Sequence, residues 1–182
     1  MSSRQETETR GTTVLAVRRD GKLAMAADGQ VSIGETVFKN RAAKLRRMYN
    51  DAVVAGYAGA AADAMALFER LEGKLDEFSG NLARASLELV KQWRMDRALR
   101  QLQALLIVAD EKNLLLVSGT GDLLVPDDDV IGIGSGGAYA QAAALALLAH
   151  TEMSAEEIAK EAVRIASRIC VYTNDQITVE VL

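Results

Sequence analysis

Thr12 is the residue whose position suggests chemistry. Eleven mostly polar residues precede it, and it opens the apolar, β-branched run Thr-Thr-Val-Leu-Ala-Val. Cleavage after Gly11 would leave a hydroxyl and a free α-amine on the same residue. An α-amine titrates near pH 7.7–8.0, roughly, so an appreciable part of it is neutral at pH 7. It can take the hydroxyl proton, directly or through a water, and needs no histidine to do so. That agrees with a chain holding one histidine, His150. A lysine ammonium near the amine would disfavour its protonation and steady the alkoxide. Lys44 is the candidate, because a strand through 43–49 would aim it to one side together with Arg46 and away from Leu45 and Arg47. Asp28, at the end of the strand that follows Thr12's own, would keep Lys44 charged and in place. Taken alone, Thr12-Thr13 reads as a plain strand start before it reads as a nucleophile. Ser2, exposed by loss of Met1, is a rival nucleophile, but no strand follows to hold it.

Other groups invite chemistry less strongly. Gly132-Ile-Gly134-Ser135-Gly136-Gly137 matches the dinucleotide fingerprint G-x-G-x-x-G. Only about 45 residues follow it, too few for the βαβ fold that the fingerprint opens. A tight strand-to-helix turn explains it better, with the Ser135 hydroxyl exposed. His150 and Cys170 as a thiol–imidazole dyad compete with a helix C-terminal cation and a small buried hydrophobe. Asp127-Asp128-Asp129 after Pro126 reads as a solvated turn before it reads as a cation site. Lys39, Arg41, Lys44, Arg46 and Arg47 form a basic run on a chain of net charge −4, a solvated face more than a nucleic-acid patch.

The elements that must position these residues follow from periodicity. Thr12–Arg19 reads as a strand turned at Asp20-Gly21, the strongest two-residue hairpin signal, with residues 22–28 returning. A second hairpin spans 43–49 and 52–58 around Asn50-Asp51. Met65, Phe68, Leu71, Leu75 and Phe78 recur at helical spacing, and a second helix carries Leu82, Leu89 and Trp93. Strands follow at 105–109, 114–118 and 130–133. Helices come at 138–150 and 154–168, the latter opened by a Ser154/Glu157 capping box. A last strand covers about 176–181. Helices come in pairs between clusters of strands, which excludes a doubly wound parallel sheet. Two helix pairs need two sheet faces, so the expected fold is an α+β, four-layer αββα sandwich. With 182 residues, 49% hydrophobic and 25% charged, the chain suits a single domain over 12–182 behind a leader at 1–11.

Composition removes several functions. Net acidity and 4% aromatic residues argue against nucleic-acid binding. One cysteine and one histidine exclude a disulfide framework and a multi-ligand His/Cys zinc site. No apolar stretch approaches the roughly 20 residues that span a bilayer, and residues 1–11 lack the apolar core of a secretory signal. These point to the cytoplasm and to no membrane partner.

The motifs together resemble a family. Thr12-Thr-Val-Leu-Ala-Val-Arg-Arg-Asp-Gly-Lys, Ala27-Asp-Gly-Gln-Val, Ala55-Gly-Tyr-Ala-Gly, Ala62-Asp-Ala, Trp93-Arg-Met-Asp-Arg, Ile133-Gly-Ser-Gly-Gly and Val171-Tyr-Thr-Asn are similar, in order, to the HslV (ClpQ) peptidases. These are the proteolytic subunits of bacterial HslUV proteases and relatives of proteasome β subunits. The resemblance runs from about Gly11 to Leu182. It implies an N-terminal nucleophile (Ntn) hydrolase with Thr12 as nucleophile, and it makes Asp28 and Lys44 the charged pair. It also makes Ser135 the serine of the catalytic centre and places Gly59 in the oxyanion turn. It implies a structural, sodium-like cation on the backbone carbonyls of Ser167, Cys170 and Thr173, although many members have glycine where Ser167 stands. The partner it implies is an HslU-type AAA+ unfoldase that uses ATP, since the chain has no G-x-x-x-x-G-K-[ST] motif of its own. The implied assembly is two stacked hexameric rings, acting on unfolded protein substrates. The leader, longer than the lone initiator Met of many members, is expected to leave by a cut after Gly11, as in proteasome β precursors. Two other readings stay open. One is an inactive ring subunit with an uncleaved leader, and the other a nucleotide-binding enzyme using 132–137.

Overall fold

The fold is described from a computed structural model over residues 9–10, 12–95, 104–118 and 120–182. Its elements in order are β1 (Thr9–Arg10), β2 (Thr13–Arg19), β3 (Lys22–Ala27), β4 (Val31–Ile33), β5 (Thr36–Lys39), β6 (Leu45–Met48), β7 (Val53–Gly59), α1 (Ala61–Glu77), α2 (Leu82–Met95), β8 (Ala104–Ala109), β9 (Leu114–Val117), β10 (Leu123–Leu124), β11 (Val130–Gly134), α3 (Gly137–His150), α4 (Ala155–Ser167) and β12 (Thr178–Val181).

Asp20 and Gly21 both have positive φ, 52° and 76°. A two-residue turn needs that to match the twist of its strands, and it sets Arg19 opposite Lys22. β2 is buried without alternation from Thr13 to Val17, because both faces of its sheet are covered. That sheet has the order β11-β2-β3-β12, and a second sheet has the order β10-β9-β8-β7-β6. Between the sheets lie Val14, Ala16, Met25, Val54, Ile107 and Ile133. Helices α1 and α2 cover the five-stranded sheet through Leu67, Phe68, Leu71, Leu89 and Trp93. Helices α3 and α4 cover the four-stranded sheet through Ala140, Ala144, Ile158, Ala162 and Val163. Three apolar interfaces separate four layers, the αββα sandwich expected from the element order. The predicted capping box is present on α4, with Ser154 and Glu157 each satisfying the other's backbone N–H.

A third sheet, β1-β4-β5, was not legible in the sequence. Its β5 is exposed at every position, so no core-facing alternation marks it. β10 has two residues, too few to show a pattern. Part of the leader expected at 1–11 is in strand conformation. Thr9 and Arg10 form β1 and pair antiparallel with Ile33 and Ser32. Residues 1–8 and Gly11 lie outside the described part, as do Asp96 and Arg97 of the Trp93 motif.

Candidate active site

The centre is built on the first residues of β2. Thr12 is 6% exposed and sits just before that strand. The next residue along, Thr13, donates its backbone N–H to Asp28 Oδ1 at 2.8 Å. Asp28 follows β3, the hairpin partner of β2, and is 1% exposed. It accepts three further bonds: from the Gln30 N–H at 2.9 Å, from the Asn174 N–H at 3.2 Å, and from Lys44 Nζ at 2.7 Å. A buried carboxylate with this many donors is compensated for the water it has lost.

Lys44 reaches Asp28 from the other sheet, and neither side chain of the pair is exposed at all. Burial pushes the Lys44 ammonium below its ordinary range, while the charge and hydrogen bond of Asp28 pull it back up. The alternation expected through 43–49 does not hold at its start. Lys44 precedes β6, and Leu45 packs between the sheets. Arg47 reaches Glu180 of the facing sheet at 2.6 Å, whereas Arg46 turns to Glu72 of α1 at 2.9 Å. Lys44 and Arg46 therefore reach different layers, although the Lys44 carbonyl still accepts the Tyr57 N–H of β7 at 3.3 Å.

Ser135 sits in the turn from β11 to α3, and its hydroxyl donates to the Thr12 carbonyl at 3.4 Å. Gly134 beside it has φ 86°, and a Cβ there would overlap the Thr12 carbonyl oxygen and touch Ala58. Only glycine lets β11 come this close to Thr12. The same approach brings the end of β7 alongside. Gly59 ends that strand with φ 120°, and α1 begins two residues on with no side-chain cap at Ala60. The first backbone N–H groups of a helix are open to an incoming anion.

The G-x-G-x-x-G segment is a packing turn. A Cβ on Gly132 would overlap the Gly137 carbonyl, and the Gly132 N–H is taken by Gln141 Oε1 at 3.0 Å. His150 ends α3 in an exposed position, while Cys170 is buried. No hydrogen bond joins them among the described residues. Asp129 serves β2 through its carbonyl, which accepts the Arg18 N–H at 2.8 Å.

Ser167, Cys170 and Thr173 lie on the turn that leaves α4. The Cys170 N–H caps the helix at Ala166 O, and Cys170 O accepts from the Thr173 N–H at 3.1 Å. Thr173 is 4% exposed, and its hydroxyl meets that of Thr13 at 2.7 Å. Ser167 keeps a negative φ, so serine in place of the family's glycine adds no backbone strain. Among the described residues no backbone N–H donates to the Ser167 or Thr173 carbonyl. No cluster of three His, Cys, Asp or Glu side chains forms among them either. Uncharged carbonyl oxygens are a donor set for a hard cation and not for zinc or copper.

Sequence reasoning gave no role to Thr13, Gln30, Asn40 or Asn174. Gln30 is 5% exposed and joins Ser32 to the Val171 carbonyl. The Thr173-Asn174 pair was visible as part of a motif, but nothing in its spacing tied it to Asp28.

A family model described as proteasome subunit matches residues 8–182. The chain belongs to the proteasome subunit family. Its place there is on the HslV branch. It is 56% identical over 177 residues to the ATP-dependent protease subunit HslV of Syntrophobacter fumaroxidans, covering 97% of this chain and 99% of that one. With the HslV subunit of Aquifex aeolicus it shares 54% identity, covering 95% and 98%. The crystal structure of HslV from Trypanosoma brucei superposes with a TM-score of 0.88 at 47% identity, over 93% of this chain and 98% of that one. The proteasome-type fold extends to Thiobacillus denitrificans BPH, at TM-score 0.72, 20% identity and 93% and 97% coverage. No helix among the described residues is long and apolar enough to cross a membrane.

Proposed function

We propose that this chain is the proteolytic subunit of a two-component, ATP-dependent protease, with Thr12 as an N-terminal threonine nucleophile. One observation carries the reading: the Asp28–Lys44 pair, buried between two sheets, is hydrogen-bonded to the backbone of the residue after Thr12. The names of its relatives, ATP-dependent protease subunits, support the same conclusion.

Hydrolysis of the Gly11–Thr12 bond comes first. It adds water, leaving a carboxylate on Gly11 and a free amine on Thr12. The strand pairing of Thr9 and Arg10 with β4 supports this, because it holds two residues just ahead of the cut extended. The freed amine then takes the Thr12 hydroxyl proton as the oxygen attacks a substrate carbonyl. The oxyanion of the tetrahedral intermediate falls to the Gly59 N–H. Collapse breaks the C–N bond, and the amine proton leaves with the new N-terminus. Water attacks the resulting ester and gives a proton to the amine, which passes it to Thr12 Oγ as the C–Oγ bond breaks and the acyl product leaves as the acid. Lys44 lowers the proton affinity of the amine, Asp28 holds Lys44, and Ser135 orients the Thr12 backbone and water.

The partner is an HslU-type AAA+ unfoldase that spends the ATP, and the subunits form two stacked hexameric rings in the cytoplasm. Unfolded proteins are the substrates. A sodium-like cation would be held by the carbonyls of Ser167, Cys170 and Thr173, where it would brace the turn after α4. Replacing Thr12 with Ala tests the whole reading. The variant keeps its leader by intact mass, assembles, and loses peptide hydrolysis in the presence of the ATPase. Wild-type turnover by Thr12→Ala, or by full-length chain, overturns it.

A further inference from the structure

Three stretches outside the strands converge at the Asp28–Lys44 pair. They are the turn at 28–30, the approach to β6 at 40–44, and the segment between α4 and β12. One side chain joins all three. Asn174 Oδ1 accepts the Gly29 N–H at 3.1 Å and the Gln176 N–H at 3.2 Å. Its Nδ2 donates to the Asn40 carbonyl at 3.0 Å. Its own backbone N–H reaches Asp28 Oδ2. The backbones it joins are already in close contact. A Cβ on Gly29 would overlap that same Asn40 carbonyl, and the Ala42 N–H donates to Gly29 O at 2.9 Å.

We propose that Asn174 is a positioning residue: a carboxamide clamp that sets the register of the Asp28 turn against the segment delivering Lys44, and so fixes the ion pair relative to Thr12. Only a carboxamide suits the place. It must accept through Oδ1 from the Gly29 and Gln176 N–H groups and donate through Nδ2 to the Asn40 carbonyl; a carboxylate cannot donate, and a hydroxyl offers both functions on one atom only. An aspartate would set a second acceptor against the Asn40 carbonyl and place a negative charge near Asp28. The clamp rests on the reading that Thr12 is the nucleophile and that Lys44 tunes its amine.

The test compares Asn174→Ala and Asn174→Asp, each processed and assembled with the ATPase, with assembled Thr12→Ala, which keeps its leader, using a short chromogenic peptide across pH. Misplacing a catalytic group by about 1 Å costs on the order of 100-fold. Both Asn174 variants should therefore lose kcat on that scale with KM within about twofold. As the Lys44 charge draws away, the Thr12 amine holds its proton more tightly, and the acidic limb of the profile moves up by about one pH unit. Asn174→Asp, the same size as the native side chain, keeps the test valid if Asn174→Ala does not fold. Wild-type kcat and pH profile in Asn174→Asp overturn the clamp, as does a loss of kcat with the acidic limb unmoved. Retained turnover in Thr12→Ala refutes the nucleophile instead, so the two failures are distinct.

Discussion

Lys44 has no exposed side-chain surface and pairs with the Asp28 carboxylate, so its effect on stability and its effect on activity separate. A buried charge stripped of its partner costs about 3–5 kcal/mol, whereas replacing a whole pair with neutral groups is often close to neutral. Asp28→Asn and Lys44→Met should each destabilise the fold by roughly that amount, and the double variant should recover most of it. Denaturant melts of the three variants measure this. None of them should hydrolyse peptide. The pH dependence has a definite sign. Burial lowers the Lys44 pKa below 10.5 in the folded protein, so in the window between its folded value and 10.5 the unfolded chain binds a proton that the folded chain does not. The penalty of burying the charge is in force below the folded pKa and is relieved as pH rises through it. Relative to the double variant, the wild type should gain thermal stability as pH climbs toward 10.5. A constant difference in Tm would contradict it.

Elements bring the site together through close approaches. β11 reaches Thr12 only because Gly134 lacks a Cβ and sits at φ 86°. Gly134→Ala should force β11 away from the Thr12 carbonyl and cost on the order of 1–3 kcal/mol in strain. Peptide hydrolysis should fall by more than 10-fold, because the Ser135 contact moves with the strand. A peptidase assay beside a thermal melt reads both. On the opposite side of the same sheet, α4 starts with a complete capping box, far from the chemistry. Ser154→Ala should cost about 1 kcal/mol and leave kcat unchanged. The contrast separates an element's own stability from its role in placing the site.

The molecule as a whole has three apolar interfaces, and the one between the sheets carries the site at its rim. Met25 and Ile107 are fully buried there. Truncating either to Ala should cost about 2–5 kcal/mol. Phe38→Ala, at a side chain 75% exposed, should stay within about 0.5 kcal/mol. Equal losses from the two sites in denaturant melts would contradict this layering. Burial also explains which parts of the fold were legible in advance. Residues such as Phe68, Leu71 and Leu75 must face a core, so their periodicity shows in the chain. β5, exposed throughout, and β10, two residues long, carry no such signal.

The sequence alone determined whatever depends on neighbours along the chain. The Asp20-Gly21 turn, the amphipathic helices, the Ser154 cap and the element order that demands two covered sheets are all local facts about residue type and spacing. The candidates Thr12 and Asp28 were visible because a polar leader runs into an apolar strand whose returning partner ends at a carboxylate, while Lys44 stood within a basic run. Tertiary structure decided what depends on residues far apart in sequence. It set the hydrogen bonds that Asp28 receives from Thr13 and Asn174, the layer that Lys44 enters against simple alternation, and the pairing of the leader with β4. The physical reason is that a hydrogen bond constrains geometry across any sequence separation, while composition and periodicity report only on the next few residues.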